Sequence, residues 1–215
     1  MKAILISIQP KWCELIASSK KTVEVRKTAP KLETPFKVYI YCTLPPKEEL
    51  FTHGCIREYA HELIRLQDGK IVYDYGMRLC CDIENRPYSQ DNFLCQKVIG
   101  EFMCDEIFPI RVFENGSIQY YNYHNMERSC VPYDDISEYI GNNKTGYGWH
   151  ISDLVIYDEP KELIDFYVWK KCNSCRDTGY ESTACRYDED CKVPAVIARP
   201  PQSWCYVEEL KNEKI

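Results

Sequence analysis

The sequence predicts an α+β fold in which short strands form a mixed or antiparallel β-barrel with short flanking helices. Apolar or alternating runs of strand length, about four to eight residues, recur along the chain. Helical patterns are few and short, so the chain lacks the regular strand–helix alternation of a doubly wound sheet. With 215 residues, 45% of them hydrophobic, the chain is long enough for a single domain around one large core.

Three strands and one helix are predicted near the start of the chain. Residues 3–8 are β-branched and apolar, as in a buried strand. Pro10 suits the first turn of a helix, and an apolar face recurs through residues 10–18. Residues 22–27 alternate between apolar and polar side chains, which indicates a strand, and residues 36–42 form another apolar strand.

The rest of the chain is predicted to add strands, helices and two insertions. The loosely patterned residues 44–95 are interpreted as the first insertion, and residues 168–199, which are Cys-rich and precede the last strand, as the second. The other predicted elements are a helix at 55–66, a hairpin turned at Asp68-Gly69, a strand at 97–112 bent near Pro109, a hairpin at Asn115-Gly116, a helix at 132–140 and strands at 146–151, 154–157 and 203–207.

Four cysteines in the second insertion predict a structural zinc site of the zinc-knuckle type. Cys172-x2-Cys175 is followed by Cys185-x5-Cys191, in a polar segment with too little apolar material to fold alone. Four thiolates hold Zn²⁺ tetrahedrally and leave no position for a catalytic water, so the module would be structural or contact a partner. Free thiols and two disulfides are the alternatives.

Positive charge is concentrated at the start of the chain. From Met1 to Lys31 there are seven Lys or Arg and two Glu, whereas the whole chain has a formal net charge of -6. An anionic partner should meet this patch and be repelled elsewhere, which argues against a general nucleic-acid coat protein. No apolar run approaches the roughly 18 residues of a membrane span, and the apolar start is too short for a signal peptide. We therefore expect a cytoplasmic protein with no membrane contact.

Three charged side chains at the third predicted element form the candidate site. Glu24 and Arg26 share one side of the strand, and Lys21 joins them at its entrance. Arg26 offers a fork of donors that matches a phosphate or the edge of a base, and Lys21 adds a mobile charge. Glu24 can accept hydrogen bonds from an exocyclic amine or act as a general base. The alternative is a surface ion pair without function.

Aromatic residues offer a second kind of contact. Trp12, Tyr147, Trp149 and Trp204 can supply a stacking platform for an unpaired base, although buried aromatic residues more often belong to a core. His150 is either a general acid or base or a structural hydrogen-bonding residue.

Residues 19–26, read as Ser-x-Lys-x-x-Glu-x-Arg after a first strand and short helix, resemble the signature of the ASCH domain, a family of PUA-like β-barrels. Residues 4–12, 149–160 and 200–206 are similar, in the same order, to the family's opening strand, its later Trp-His strand and its closing strand. The family motif usually begins with Gly where this chain has Ser19. We therefore expect a negative φ at Ser19 and not the left-handed backbone that Gly permits.

The resemblance implies work on RNA. PUA-like barrels bind RNA or a modified base in a cleft beside the first helix, and ASCH members include an acetylcytidine amidohydrolase and a ribonuclease. Glu24 stands in the place of that amidohydrolase's nucleophilic Thr, which argues against the same activity. We therefore expect an RNA-binding protein that recognises single-stranded RNA or a modified nucleotide in a basic cleft.

The residues expected to contact RNA are Ser19, Lys21, Glu24, Arg26, Tyr147 and Trp149. One alternative is an enzyme on the same cleft that hydrolyses RNA or a modified nucleoside, with Glu24 as base and Lys21 in support. Another is a protein-interaction module in transcription regulation. The sequence does not specify an oligomeric state.

Overall fold

The computed structural model describes residues 1–44, 64–67, 70–73, 94–120, 126–171 and 192–210. In chain order the elements are β1 (Lys2–Ile8), α1 (Pro10–Ala17), β2 (Val23–Arg26), β3 (Phe36–Cys42), β4 (Ile64–Gln67), β5 (Lys70–Tyr73), β6 (Val98–Cys104), β7 (Ile107–Val112), β8 (Ile118–Tyr120), α2 (Tyr133–Ile140), β9 (Thr145–His150), β10 (Ser152–Lys161), β11 (Tyr167–Lys171), β12 (Lys192–Val196) and β13 (Trp204–Glu208). None of the helices in these ranges has the length and apolar character needed to span a bilayer.

Two main sheets and two short strand pairs contain these strands. The first sheet has the order β10-β6-β3-β1-β13, and the second has the order β2-β9-β7-β8. Strands β1 and β3 are parallel, and the other pairs are antiparallel. This confirms an α+β fold with mixed strand pairing. Over the described residues the strands form these separate sheets and not one closed barrel.

Apolar side chains cover both faces of the first sheet, which explains why the run at β1 is continuous and not alternating. Ile4, Ile6 and Ile8 lie in a core that includes α1 and the second sheet's Trp149. Ala3 and Leu5 face the other way, into a smaller cluster with Phe166. A third cluster fills the space between β2, β7 and α2.

Most of the predicted elements are confirmed, and two predictions were wrong. The predicted strand at 97–112 is two strands that belong to different sheets, and the break falls at Asp105-Glu106 and not at Pro109. The end of the helix predicted at 55–66 is the strand β4, which pairs with β5 across the predicted hairpin. The start of that helix lies outside the described residues.

The second insertion has a strand pair that the sequence did not reveal. β11 pairs antiparallel with β12, and Lys171 stands opposite Lys192. The intervening residues 172–191, with Cys172, Cys175, Cys185 and Cys191, lie outside the described residues, so zinc binding stays a prediction. Among the described residues, four cysteines, Cys13, Cys42, Cys95 and Cys104, are buried in the core.

The turn after α1 corrects the expectation for Ser19. The N–H of Ser19 donates to the carbonyl of Ile16, and the N–H of Lys20 donates to that of Leu15. This pair of bonds is the Schellman arrangement, which needs a left-handed residue just after the helix. Ser19 has a φ of 57°. The geometry that Gly favours is thus adopted by Ser, and it turns the chain so that Lys21 enters the interior.

Replacing Ser19 with Gly should stabilise the protein. A left-handed backbone costs a residue other than Gly about 1–2 kcal/mol, and the larger conformational entropy of Gly offsets part of that gain. We expect Ser19→Gly to raise the free energy of unfolding by about 0.5–1 kcal/mol in urea titrations. Ser18→Gly is the matched control, because Ser18 has a φ of -83° and should lose stability. Equal effects at the two positions would contradict the account.

Candidate ligand-binding cleft

A cleft of about 390 Å³ lies among the N-terminal end of α1, strand β2 and helix α2. Residues 7–9 at the end of β1 form one side, and Thr43 and Gln202 contribute from the segments next to β3 and β13. Its charged lining residues are Lys21, Glu24, Arg26 and Asp135, and its aromatic lining residues are Trp12 and Tyr139. We refer to this space as the cleft.

The alternation of β2 puts its charges on the cleft side. Val23 and Val25 belong to the cluster under α2, and Val25 also reaches the cleft lining. Glu24 and Arg26 line the cleft together with Lys21. β2 is an edge strand of the second sheet and pairs with β9. Its Arg26 side chain contacts Ser7 at the end of β1 and Ser203 just before β13.

The three charged side chains form a buried ion triad. The Glu24 carboxylate lies between two cations: its Oε1 is 2.9 Å from Arg26 Nη2, and its Oε2 is 3.3 Å from Lys21 Nζ. Lys21, Glu24 and Arg26 are only 1%, 6% and 7% exposed. The sequence left open a solvent-exposed ion pair, but these three side chains are buried.

Lys21 is held by hydrogen bonds, whereas the sequence suggested that it would be a mobile charge. Its Nζ donates to the carbonyl oxygens of Val23, at 2.9 Å, and Ser129, at 2.6 Å, besides its contact with Glu24. Two of the three ammonium donors are thus used in hydrogen bonds to carbonyls, and the ion contact with Glu24 is the third interaction of the group. Lys21 therefore holds β2 against the segment before α2 and orients Glu24.

Arg26 connects three segments, and its Nε has no hydrogen-bond partner among the described residues. Nη2 donates to the carbonyl oxygen of Ser7 at 2.7 Å, and Nη1 donates to Ser203 Oγ at 3.3 Å. Its Nε and Glu24 Oε2 are buried and make no hydrogen bond with any described residue. Buried polar groups are nearly always hydrogen-bonded. The cleft wall therefore holds a donor without a described partner, Arg26 Nε, and an acceptor, Glu24 Oε2, that has the ion contact with Lys21 but no hydrogen bond.

The charge of the cleft corrects the expectation of a basic site. Among the charged lining residues, Lys21 and Arg26 are balanced by Glu24 and Asp135. Positive charge lies next to the aromatic rings: Lys27 Nζ is 4.8 Å from the ring centre of Tyr139, and Lys11 Nζ is 4.9 Å from that of Trp12. The wall is thus formally neutral, and lysines lie over its aromatic side chains.

The structure brings three of the six predicted contact residues together in the cleft lining: Lys21, Glu24 and Arg26. Ser19 is exposed after α1, and neither it nor Tyr147 lines the cleft. Trp149 has no exposed surface, and its ring packs 6.0 Å from that of Phe36 and 5.8 Å from that of Trp204. Trp149 is therefore a core residue and not a stacking platform.

His150 contacts Asp105 away from the cleft. Its Nδ1 is 2.6 Å from Asp105 Oδ1, at the break between β6 and β7. Burial alone would raise the pKa of Asp105, but the hydrogen bond and charge of His150 outweigh burial and lower it. His150 does not line the cleft, and its role as a structural or an acid–base residue stays a prediction.

Comparison with known proteins finds similar solved structures but no matching sequence family. No protein-family model and no curated protein matches the sequence. The chain is similar to solved ASCH structures. The crystal structure of ASCH from Zymomonas mobilis is 15% identical with a TM-score of 0.47, and the match covers 98% of this chain and 89% of that one. Two mutant structures of that protein are also 15% identical, each with a TM-score of 0.49, over 96% and 97% of this chain and 89% and 92% of theirs.

Proposed function

We propose that the cleft binds one base of single-stranded RNA, or a free modified nucleoside, and that the protein is a cytoplasmic ASCH-type reader with a PUA-like architecture. One observation carries the proposal: Arg26 Nε is a buried donor without a described partner, and Glu24 Oε2 is a buried acceptor with no hydrogen bond, only the ion contact with Lys21. Both residues line one cleft. The edge of a nucleobase presents both donors and acceptors, so it can satisfy the two groups together. The four ASCH-like stretches support the family assignment.

The size and flanks of the cleft suit a single base. Its volume of about 390 Å³ is at the small end of the range of ligand pockets. Trp12 and Tyr139 line it from α1 and α2, and aromatic faces stack on bases of any sequence. A long nucleic-acid segment would have to pass outside.

The formally neutral wall favours a base over a phosphate. Lys21 and Arg26 each contact Glu24, so neither is a free cation for a buried anion. A phosphate placed beside Glu24 would also be repelled by the carboxylate. Lys27, which is exposed beside Tyr139, is positioned to contact the phosphate next to a bound base.

The hydroxyl groups of the cleft favour binding over hydrolysis. Ser7 Oγ donates to the carbonyl oxygen of Pro201 at 2.6 Å, and Thr43 Oγ1 donates to that of Leu44 at 3.0 Å. Within the part of the chain that the structure describes, neither hydroxyl is hydrogen-bonded to a base that could activate it as a nucleophile. Lys21 is held by two carbonyls and Glu24. A hydrolase would have to use Glu24 itself as a base toward water, which turnover assays detect.

Calorimetric titration with cytidine, acetylcytidine, uridine and short single-stranded RNA tests this function. Glu24→Gln keeps the shape of the side chain and removes its charge, so we expect it to weaken binding of the preferred ligand roughly 10- to 100-fold, as loss of a hydrogen bond to a charged group does. Glu138→Gln makes the same change at an exposed position of α2 outside the cleft lining and should leave affinity unchanged.

The outcomes separate the alternatives. Turnover that Glu24→Gln abolishes would make the protein a hydrolase. If the parent protein binds neither nucleosides nor RNA, or if Glu24→Gln binds as the parent does, the cleft is not a base-binding site.

A further inference from the structure

The strand pair β11–β12, here called the ribbon, exposes a row of apolar side chains on one face. Tyr167 and Trp169 alternate on β11, opposite Val196 and Pro194 of β12. Trp169 is 48% exposed and Val196 is 59% exposed. The rings of Tyr167 and Trp169 meet edge to face with centres 5.8 Å apart, so the exposed indole is held by its neighbour.

The other face of the ribbon is anchored to the body of the protein. Val168, which points away from Trp169 by alternation, packs on the cluster that contains Phe166, and so does Ile197 just after β12. The backbone N–H of Ile197 donates to the carbonyl oxygen of Phe166 at 2.8 Å. The ribbon is therefore an attached part of the fold that presents its aromatic face outward.

The ribbon is also basic in an acidic protein. Its strands and the residues after β12 contain Lys170, Lys171, Lys192 and Arg199 and no Asp or Glu over residues 166–171 and 192–199. The whole chain has a formal net charge of -6. Lys192 is exposed and shares the face of Trp169 by alternation. Exposed aromatic rings between positive charges are how proteins hold unpaired nucleic acid.

We propose that the ribbon is a second binding surface, for single-stranded RNA, on which Trp169 stacks against a base and Lys192 contacts a phosphate. The exposed indole favours a single strand over a duplex, because bases stacked within a duplex offer no free face. The surface is separate from the cleft but close along the chain. Gln202 lines the cleft six residues after Val196, a span of at most about 20 Å in extended chain.

Fluorescence anisotropy with labelled RNA of about 12 nucleotides, within the site sizes of single-strand binders, tests the ribbon. Trp169→Ala should weaken binding roughly 5- to 150-fold, the range for loss of one stacked base. Lys192→Glu should reduce the slope of log affinity against log salt by about 0.7, as expected for one lost phosphate contact on a single strand.

The matched controls are an exposed aromatic residue and an exposed lysine elsewhere. Phe113→Ala and Lys144→Glu make the same changes outside the ribbon and should leave RNA binding as in the parent. Nucleosides bind only the cleft, so the ribbon variants should keep nucleoside affinity even where RNA affinity falls. RNA binding that is insensitive to Trp169→Ala and Lys192→Glu, or a duplex that binds as tightly as the single strand, would overturn the proposal.

Discussion

Glu24→Ala should lower the free energy of unfolding by about 3–5 kcal/mol, the usual cost of removing one partner from a buried ion cluster. Lys21 and Arg26 are almost fully buried on either side of Glu24. Without the carboxylate, two cations would share a site of low polarity with no opposite charge between them. Urea unfolding monitored by circular dichroism measures the change.

Glu24→Gln is the comparison for this prediction. The amide keeps the volume of the side chain and an acceptor for Arg26, so we expect a smaller loss of stability than with Ala. A surface pair contributes at most about 1 kcal/mol. A loss of that size on Glu24→Ala would show that the triad is solvated, and the buried site described above would not exist.

Trp149→Ala should destabilise the protein by about 3–5 kcal/mol, as large-to-small changes at buried aromatic positions do. Trp149 has no exposed surface and packs between Phe36 and Trp204. Its side chain therefore joins the second sheet to the core of the first, and its removal leaves a large cavity. Thermal and urea unfolding of the variant give the measurement.

Trp149→Phe separates packing from hydrogen bonding. The indole Nε1 is buried and has no partner among the described residues, so Phe removes an unmatched donor along with some volume. We expect a smaller loss than with Ala, because an unpartnered buried donor itself costs about 1–3 kcal/mol. If Trp149→Ala kept full stability but lost RNA affinity, Trp149 would be a contact residue, as the sequence suggested.

The placement of the triad was predictable because strand alternation is a local property. Residues 22–26 alternate without interruption, so the sequence alone put Glu24 and Arg26 on one side of the strand and the valines on the other. Lys21 was harder to predict. Its carbonyl partner Ser129 is more than 100 residues away, and no local pattern reports that such a lysine will be buried.

Trp149 was misread because its strand looks half-exposed. Gly146 and Gly148 alternate with Tyr147 and Trp149 in β9, which resembles aromatic residues displayed on a surface. The glycines are there because the other face of β9 is crowded. A Cβ at Gly146 would meet Ile140 Cδ1 at 2.6 Å, and one at Gly148 would collide with the ring of Phe108. Both faces of β9 are covered, so the aromatic residues fill a core.

The far wall of the cleft could not be predicted from sequence. Asp135 and Tyr139 come from α2, more than 100 residues after β2. Their helix was predicted correctly, but only the packing of Ile136 and Ile140 against Val23 and Val25 brings it beside the triad. The neutral charge of the cleft follows from the same contact, because Asp135 supplies one of its two acids.

Heteronuclear NMR of the Arg26 Nε–H group, assigned with an Arg26→Lys variant, tests the central claim most directly. This donor is buried and has no hydrogen-bond partner among the described residues. Titration with the preferred nucleoside should shift its signal saturably, with the same dissociation constant that calorimetry gives, because the ligand supplies the missing acceptor. A signal that stays in place while the ligand binds would show that recognition occurs elsewhere and that the cleft is not the site.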